Sequence, residues 1–268
     1  MLSLSFSVIV LLTFIIHCID TASYALRIAG VKSGKVAISA ALFNFMFLFS
    51  RTATSLQIPL LTKWAETEIL SGGTVDITPR LHLLIAISTI GTIVGAVLIP
   101  STQRLLSVMV GRIATTRSVI RTLLFFLTKE GRAEIKNSKL QPVRFIGSYL
   151  KLPLPNAVNA LAANTVATAF LTISGFSAVV AATITPELRG TSISLFSMLN
   201  GISTTFSIVL VLPTIAIFVD ETKDDQIGEP SFYHFIAWLV ISRIAGTLAA
   251  HSVLLPTAHL ANLISHII

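Results

Sequence analysis

Four side chains with usable chemistry lie in and just beyond the first apolar run of the chain: His17, Asp20, Tyr24 and Arg27. They are three, four and three residues apart, the spacing that stacks side chains on one face of a helix. An imidazole this close to a carboxylate can have its tautomer set by it and its titration shifted. A guanidinium is suited to reading phosphate through two parallel hydrogen bonds. A second group stands in LFNFMFLFSRTATSLQIP, where Asn44 and Arg51 share a face seven residues apart, Ser55 follows at four, and Gln57 precedes Pro59. Arg243 and His251, eight apart, fall near one face of the last apolar run and could join the same cavity. The patterns of catalysis are missing: there is no HExxH, no GxSxG, no phosphate-binding Gly-Lys loop and no carboxylate pair with an obvious base. A single cysteine, Cys18, leaves no disulfide framework and no cysteine metal cluster. The expectation is a binding or translocation site with no catalytic residue, no metal and no cofactor.

The elements that must position these groups are membrane spans. Of 268 residues, 53% are hydrophobic and 12% charged, against about a quarter charged in soluble domains, and mean hydropathy is +0.85. Crossing the hydrocarbon takes about 20 apolar residues, and suitable runs cover 3–23, 36–58, 81–100, 158–184, 193–219 and 232–256. Without period-two alternation these are helices. The fold class is therefore all-α: a polytopic bundle of about six transmembrane helices forming one integral membrane domain over 1–268. The first run is expected to be retained rather than cleaved, because no Lys or Arg precedes Arg27 and more spans follow. The apolar tail from Pro256 to Ile268, with His259 and His266, is expected at the interface.

Lys and Arg set the orientation. The link with Arg27, Lys32 and Lys35 is expected in the cytoplasm, which puts the N-terminus outside; the link 59–80, with Glu66, Glu68 and Asp76 against Lys63 and Arg80, suits the outside. From Arg104 to Lys151 there are ten basic residues and two acidic ones. A basic cytoplasmic region is therefore assigned to 101–157. Within it, Val119, Ile120, Leu123, Leu124 and Leu127 lie along one side and Arg117 and Arg121 on another, as in a basic amphipathic helix at headgroup level. The net charge of +7 resides largely there, so membrane lipids rather than nucleic acid are the expected partner. One span over 158–184 leaves the acidic link Asp220–Glu229 inside, against the charge trend, whereas a re-entrant loop turning at Ser174-Gly175 removes the conflict. Six spans are preferred. Gly91 and Gly95 have the spacing that lets helices approach closely, and Asn164 and Asn200 read as interhelical hydrogen-bond glue.

The stretch HCIDTASYALRIAGVKSGKVAISAALFNFMFLFSRTATSLQIP resembles the start of the Amj family, bacterial alternative flippases for the peptidoglycan precursor lipid II. The resemblance rests on His17, Asp20, Thr21, Tyr24, Arg27, Ala29-Gly30-Val31, Leu42-Phe43-Asn44, Ser50-Arg51-Thr52, Gln57 and Pro59. It is specific over roughly the first sixty residues and beyond them extends to length, layout and the basic central region. Asp20 stands where a glutamate is expected, and Thr54 near an expected asparagine. What the resemblance implies is translocation, in the bacterial cytoplasmic membrane, of undecaprenyl-pyrophosphate-linked disaccharide-pentapeptide from the inner to the outer leaflet. Arg27 and Arg51 would hold the pyrophosphate at successive depths while Asp20 keeps them from trapping it. Six helices leave little room for such a headgroup, so a homodimer or a lipid-open groove is expected rather than an enclosed channel. From residue chemistry alone, an ion-coupled small-solute carrier, a membrane enzyme acting on a polyprenyl phosphate and a non-catalytic partner protein stay open.

Overall fold

A computed structural model describes residues 4–70, 76–137, 157–222 and 228–268. The basic residues Lys139, Arg144 and Lys151, and much of the Asp220–Glu229 link, lie outside them. The elements in chain order are α1 (Leu4–Ala22), α2 (Tyr24–Ser33), α3 (Val36–Leu70), α4 (Thr78–Thr116), α5 (Val119–Phe125), α6 (Lys129–Asn137), α7 (Val158–Ile184), α8 (Arg189–Phe206), α9 (Leu212–Glu221) and α10 (Gly228–Ile267). A 3₁₀ turn, Pro186–Leu188, leads into α8, and a π-helical segment, Ser207–Val211, joins α8 to α9. Six helical segments are long and apolar enough to cross a membrane: Ser5–Ser33, Val36–Thr67, Thr78–Thr116, Val158–Ile184, Pro186–Glu221 and Pro230–Ile267. The fold is an all-α polytopic bundle.

Several helices run past their expected ends. Pro59, Pro100 and Pro256 all lie inside helices rather than closing them. Each removes one backbone donor, a loss that membrane helices tolerate because neighbouring groups satisfy the freed carbonyl. The tail from Pro256 onward is consequently the last part of α10 and not a separate interfacial segment. The extension of α3 past Pro59 puts Arg51 near its middle, not near its outer end. Residues 158–184 form one uninterrupted helix, so the re-entrant alternative does not hold.

Helix α7 is the central post, packed along α10 on one side and α8 on the other. Helix α1 packs against α4 and α3, and α4 meets α10 to join the two groups. The turn between α2 and α3 is made by Gly34 at φ 65°, the left-handed conformation that suits glycine at a helix end. Gly91 and Gly95 hold α4 tightly on α1: a methyl on Gly91 would come 2.6 Å from the Phe14 carbonyl oxygen, and one on Gly95 2.9 Å from Thr21 Cβ. Gly111, on the same helix, has open space around it. Replacing Gly95 by leucine should therefore destabilise the protein by about 1–3 kcal/mol through overpacking, read as a lower thermal midpoint in detergent. Gly111→Leu should leave the midpoint in place; equal effects would refute the close packing.

The basic region begins on α4, which carries Arg104 and Arg112 beyond Pro100. On α5, Ile120, Leu123 and Leu124 are exposed and Thr122 is buried, and Arg112 lies over the Phe125 ring at 3.3 Å. An apolar face left uncovered beside arginines is the pattern of a helix lying in the headgroup layer.

The apolar core is split in two. One cluster fills the end of the bundle bearing the α2–α3 turn, with Leu26, Ile28, Ile99, Phe232 and Phe235. The other fills the opposite end, with Phe6, Leu61, Leu81, Ile173 and Leu254. Between them each long span changes to buried polar residues at matching height: Thr13, His17 and Asp20 on α1; Ser50, Thr54 and Gln57 on α3; Ser88 and Thr92 on α4; Asn164, Thr168 and Thr172 on α7; Ser203 on α8; Ser242, Arg243 and Thr247 on α10. Many of the hydroxyls bond the carbonyl one turn back, as Thr13, Thr54, Ser88 and Thr172 do. Apolar ends and a polar middle are the layout in which multi-span transporters carry their binding sites near the bilayer midplane.

Candidate functional site

Within this polar belt Asp20, Tyr24, Arg51 and Arg243 line one cavity with Ser23, Phe43, Phe47, Asn164, Thr168, Ser203 and Ser207. Asp20 Oδ2 accepts a hydrogen bond from Arg243 Nη2 at 2.5 Å, an ion pair buried on both sides. Ser50 stands beside Asp20, and Tyr24 neighbours Arg243 and Asn164. Asn164 is itself held by α10, donating to the Leu239 carbonyl at 3.0 Å and to Ser242 Oγ at 2.8 Å. Arg51 enters from α3 with its guanidinium 4.5 Å from the Phe47 ring centre. Its Nη1 reaches Asn200 Oδ1 on α8 at 3.5 Å, while its Nε is buried and without a hydrogen-bond partner among the described residues.

Two guanidiniums and one carboxylate leave the cavity with a net charge of +1. Arg243 is matched by Asp20; Arg51 is not matched by any ion pair among the described residues. A buried guanidinium with donors to spare is a ready partner for a phosphate. The arrangement can hold an anion. Among the described residues no group of three or more His, Cys, Asp or Glu gathers to hold a metal ion.

Four hollows follow one another along α7 from end to end. The first, about 790 Å³, is lined by Ala157, Val158, Asn159 and Ala160 where α7 begins. The second is the Asp20–Arg51–Arg243 cavity, with about 40 Å³ of room. The third, about 20 Å³, holds His17, Gln57, Thr13 and Thr54 around Leu171–Phe176. The fourth, about 220 Å³, lies at the far end between Glu66, Val179, Thr183 and Arg189. The two middle hollows have room for only one to a few waters, so the space along α7 is wide at its ends and narrow at the polar belt. Leu171 lines both middle hollows and separates them.

The expected site residues divide accordingly. Asp20, Tyr24, Arg51 and Arg243 are brought together. His17 and Gln57 line the next hollow, where Gln57 Nε2 donates to Thr13 Oγ1 at 2.5 Å. Arg27, Asn44 and His251 are elsewhere. Arg27 lies over the Phe43 ring at 4.3 Å, one helix turn past the Ser23 break, and lines neither hollow. Asn44 is exposed on α3 beside the exposed Phe45 and Leu48. His251 pairs with His82 of α4, Nδ1 to Nδ1 at 2.9 Å with the rings stacked. Arg27 and His251 lie seven and eight residues beyond Asp20 and Arg243, about 10–12 Å farther along the axis, whereas α3 turns Asn44 outward and presents Phe43 and Phe47 to the cavity instead. Arg51 thus shares its cavity with Arg243 and not with Arg27.

Asn200, Ser203 and Ser207 are site residues that local spacing does not single out. The cue was Pro213. Its missing N–H and its ring interrupt the helix one turn earlier, and the chain answers with the π turn Ser207–Val211, a device frequent at functional sites.

No solved structure matches the chain. The Lipid II flippase Amj of Bacillus subtilis (strain 168) is 28% identical to it over 251 residues, covering 91% of each chain. The family model Amj, described as Alternate to MurJ, matches residues 12–265, a range that reaches into all six candidate spans and covers the polar belt, and the chain belongs to the Amj family.

Proposed function

We propose that this protein is a lipid II flippase, carrying the undecaprenyl-pyrophosphate-linked disaccharide-pentapeptide from the inner to the outer leaflet of a bacterial cytoplasmic membrane. Family membership and the relative named as a lipid II flippase support the substrate. The observation that carries the mechanism is the buried, incompletely paired Arg51 in a cavity of net positive charge at mid-depth. A pyrophosphate crossing hydrocarbon must be neutralised on the way, and Arg51 supplies an anion partner where the cost is highest. Asp20 competes with the pyrophosphate for Arg243, so the anion is held without being trapped. The protein acts as a translocase and makes or breaks no bond of the lipid.

The isoprenoid tail needs a side opening. Helices α3 and α8 hardly touch, although both border the central cavity, and Arg51–Asn200 is the hydrogen bond that spans the gap. Parting there admits a lipid whose tail stays in the bilayer, a lipid-open groove in a single chain rather than one built by a homodimer. The concentration of basic residues between α4 and α7 puts that end in the cytoplasm and the N-terminus outside. Depleting the protein in a strain that relies on it for lipid II translocation tests the function: lipid II accessible at the outer surface should fall, followed by lysis. Unchanged surface lipid II on depletion would overturn the reading.

A further inference from the structure

A wide hollow lies where α7 and α10 begin and α9 ends, away from the charged cavity. We propose that this hollow is a loading site for the glycan part of the substrate headgroup, an inference that rests on the lipid II reading. It has about 790 Å³ of room, within the range of sites that enclose small organic ligands. Its lining is mixed: Asn159, Glu221 and His234 offer hydrogen bonds, and Phe218 offers an apolar ring face. This is the combination that suits a sugar, with polar edges and apolar faces.

The two most informative groups are held in place. His234 Nε2 accepts a hydrogen bond from Trp238 Nε1 at 3.0 Å, which leaves the neutral ring with its proton on Nδ1 as a fixed donor. Phe218 is stacked on Phe235 with ring centres 4.3 Å apart. Glu221 adds an exposed acceptor at the end of α9. The same helices reach the charged cavity: Ile215 and Leu212 on α9, and Arg243 on α10, line it. His234 and Arg243 are nine residues apart on α10, about 13–14 Å along the axis. A lipid with its pyrophosphate approaching Arg51 and Arg243 has its sugars in reach of His234 and Glu221. The site sits at the end from which the basic region departs, the side on which the precursor is loaded.

The test compares two lipids on the full-length protein in nanodiscs: lipid II, and undecaprenyl pyrophosphate, which has the same tail and pyrophosphate but no glycan. Glu221→Gln, His234→Ala and Asn159→Ala should each weaken lipid II binding by up to about tenfold, the worth of one hydrogen bond, and leave undecaprenyl pyrophosphate binding unchanged. Asn159 is exposed at the start of α7, so its replacement keeps the comparison informative if His234→Ala lowers the protein yield. Arg51→Gln should weaken both lipids. Loss of both lipids in the hollow variants, or of neither, would overturn the loading site. Failure of the wild-type protein to move lipid II in vesicles would instead overturn the flippase reading, and that outcome is read separately from binding.

Discussion

Replacing Arg51 by glutamine should lower the rate of lipid II translocation by about 100-fold, the loss expected when one partner of a desolvated charge contact is truncated at about 3 kcal/mol. Protein level and thermal stability should not fall with it. The Arg51 guanidinium is buried with an unpartnered Nε and one hydrogen bond at 3.5 Å, so removing its charge relieves desolvation without stranding an anion. Activity and stability thus move in different directions, which a structural role for Arg51 would not produce. Lysine at the same position keeps the charge but loses the two-pronged geometry, and should recover only part of the rate. Translocation in vesicles and a melting curve in detergent check both halves. A variant that is fully active, or inactive because it no longer folds, would contradict the assignment.

The second large effect is expected at the Asp20–Arg243 pair. Either residue alone leaves the other as an uncompensated buried charge, and breaking such a pair costs about 3–5 kcal/mol. Arg243→Gln should therefore reduce the amount of folded protein sharply, and Asp20→Asn should do so in proportion to how far Arg51 and Arg243 repel in its absence. The double variant, Asp20→Asn with Arg243→Gln, should regain most of the lost stability, because neither charge is left. It should not regain transport. Any Asp20→Asn protein that does fold should bind undecaprenyl pyrophosphate more tightly than the wild type and translocate more slowly, since the competitor for Arg243 is gone. A double variant no more stable than the single ones would show that the 2.5 Å contact contributes no coupling.

The six spans are legible in the chain because each is an apolar run of sufficient length, and nothing but a helix satisfies its backbone in lipid. Their ends are less so. Pro59, Pro100 and Pro256 look like stops, yet the helices continue through them, and the depth of Arg51 depends on that continuation. The charged faces were legible as directions around a helix but not as heights along it. Asp20 and Tyr24 share a face and a cavity; Arg27, seven residues past Asp20, shares the face and misses the cavity. His251 likewise lies farther along its helix, paired with His82, while Asn44 is turned outward beside Phe43, which does line the cavity. Partner choice is the least local property of all. The bond that defines the site joins residues 223 positions apart, and no spacing rule pairs Asp20 with Arg243 in place of Arg27 or Arg51. The pairing of His251 with His82 is of the same kind. The close approach at Gly91 and Gly95, by contrast, was readable, because only a small residue allows a neighbouring backbone so near.

The most direct test is a time course in vesicles containing lipid II and either wild-type protein or Arg51→Gln, in which a membrane-impermeant enzyme modifies every headgroup that reaches the outer face. With the wild type, the modified fraction should climb past the initially exposed lipid toward completion; with Arg51→Gln it should follow protein-free vesicles. A wild-type curve indistinguishable from protein-free vesicles, or an Arg51→Gln curve that matches the wild type, would contradict the account.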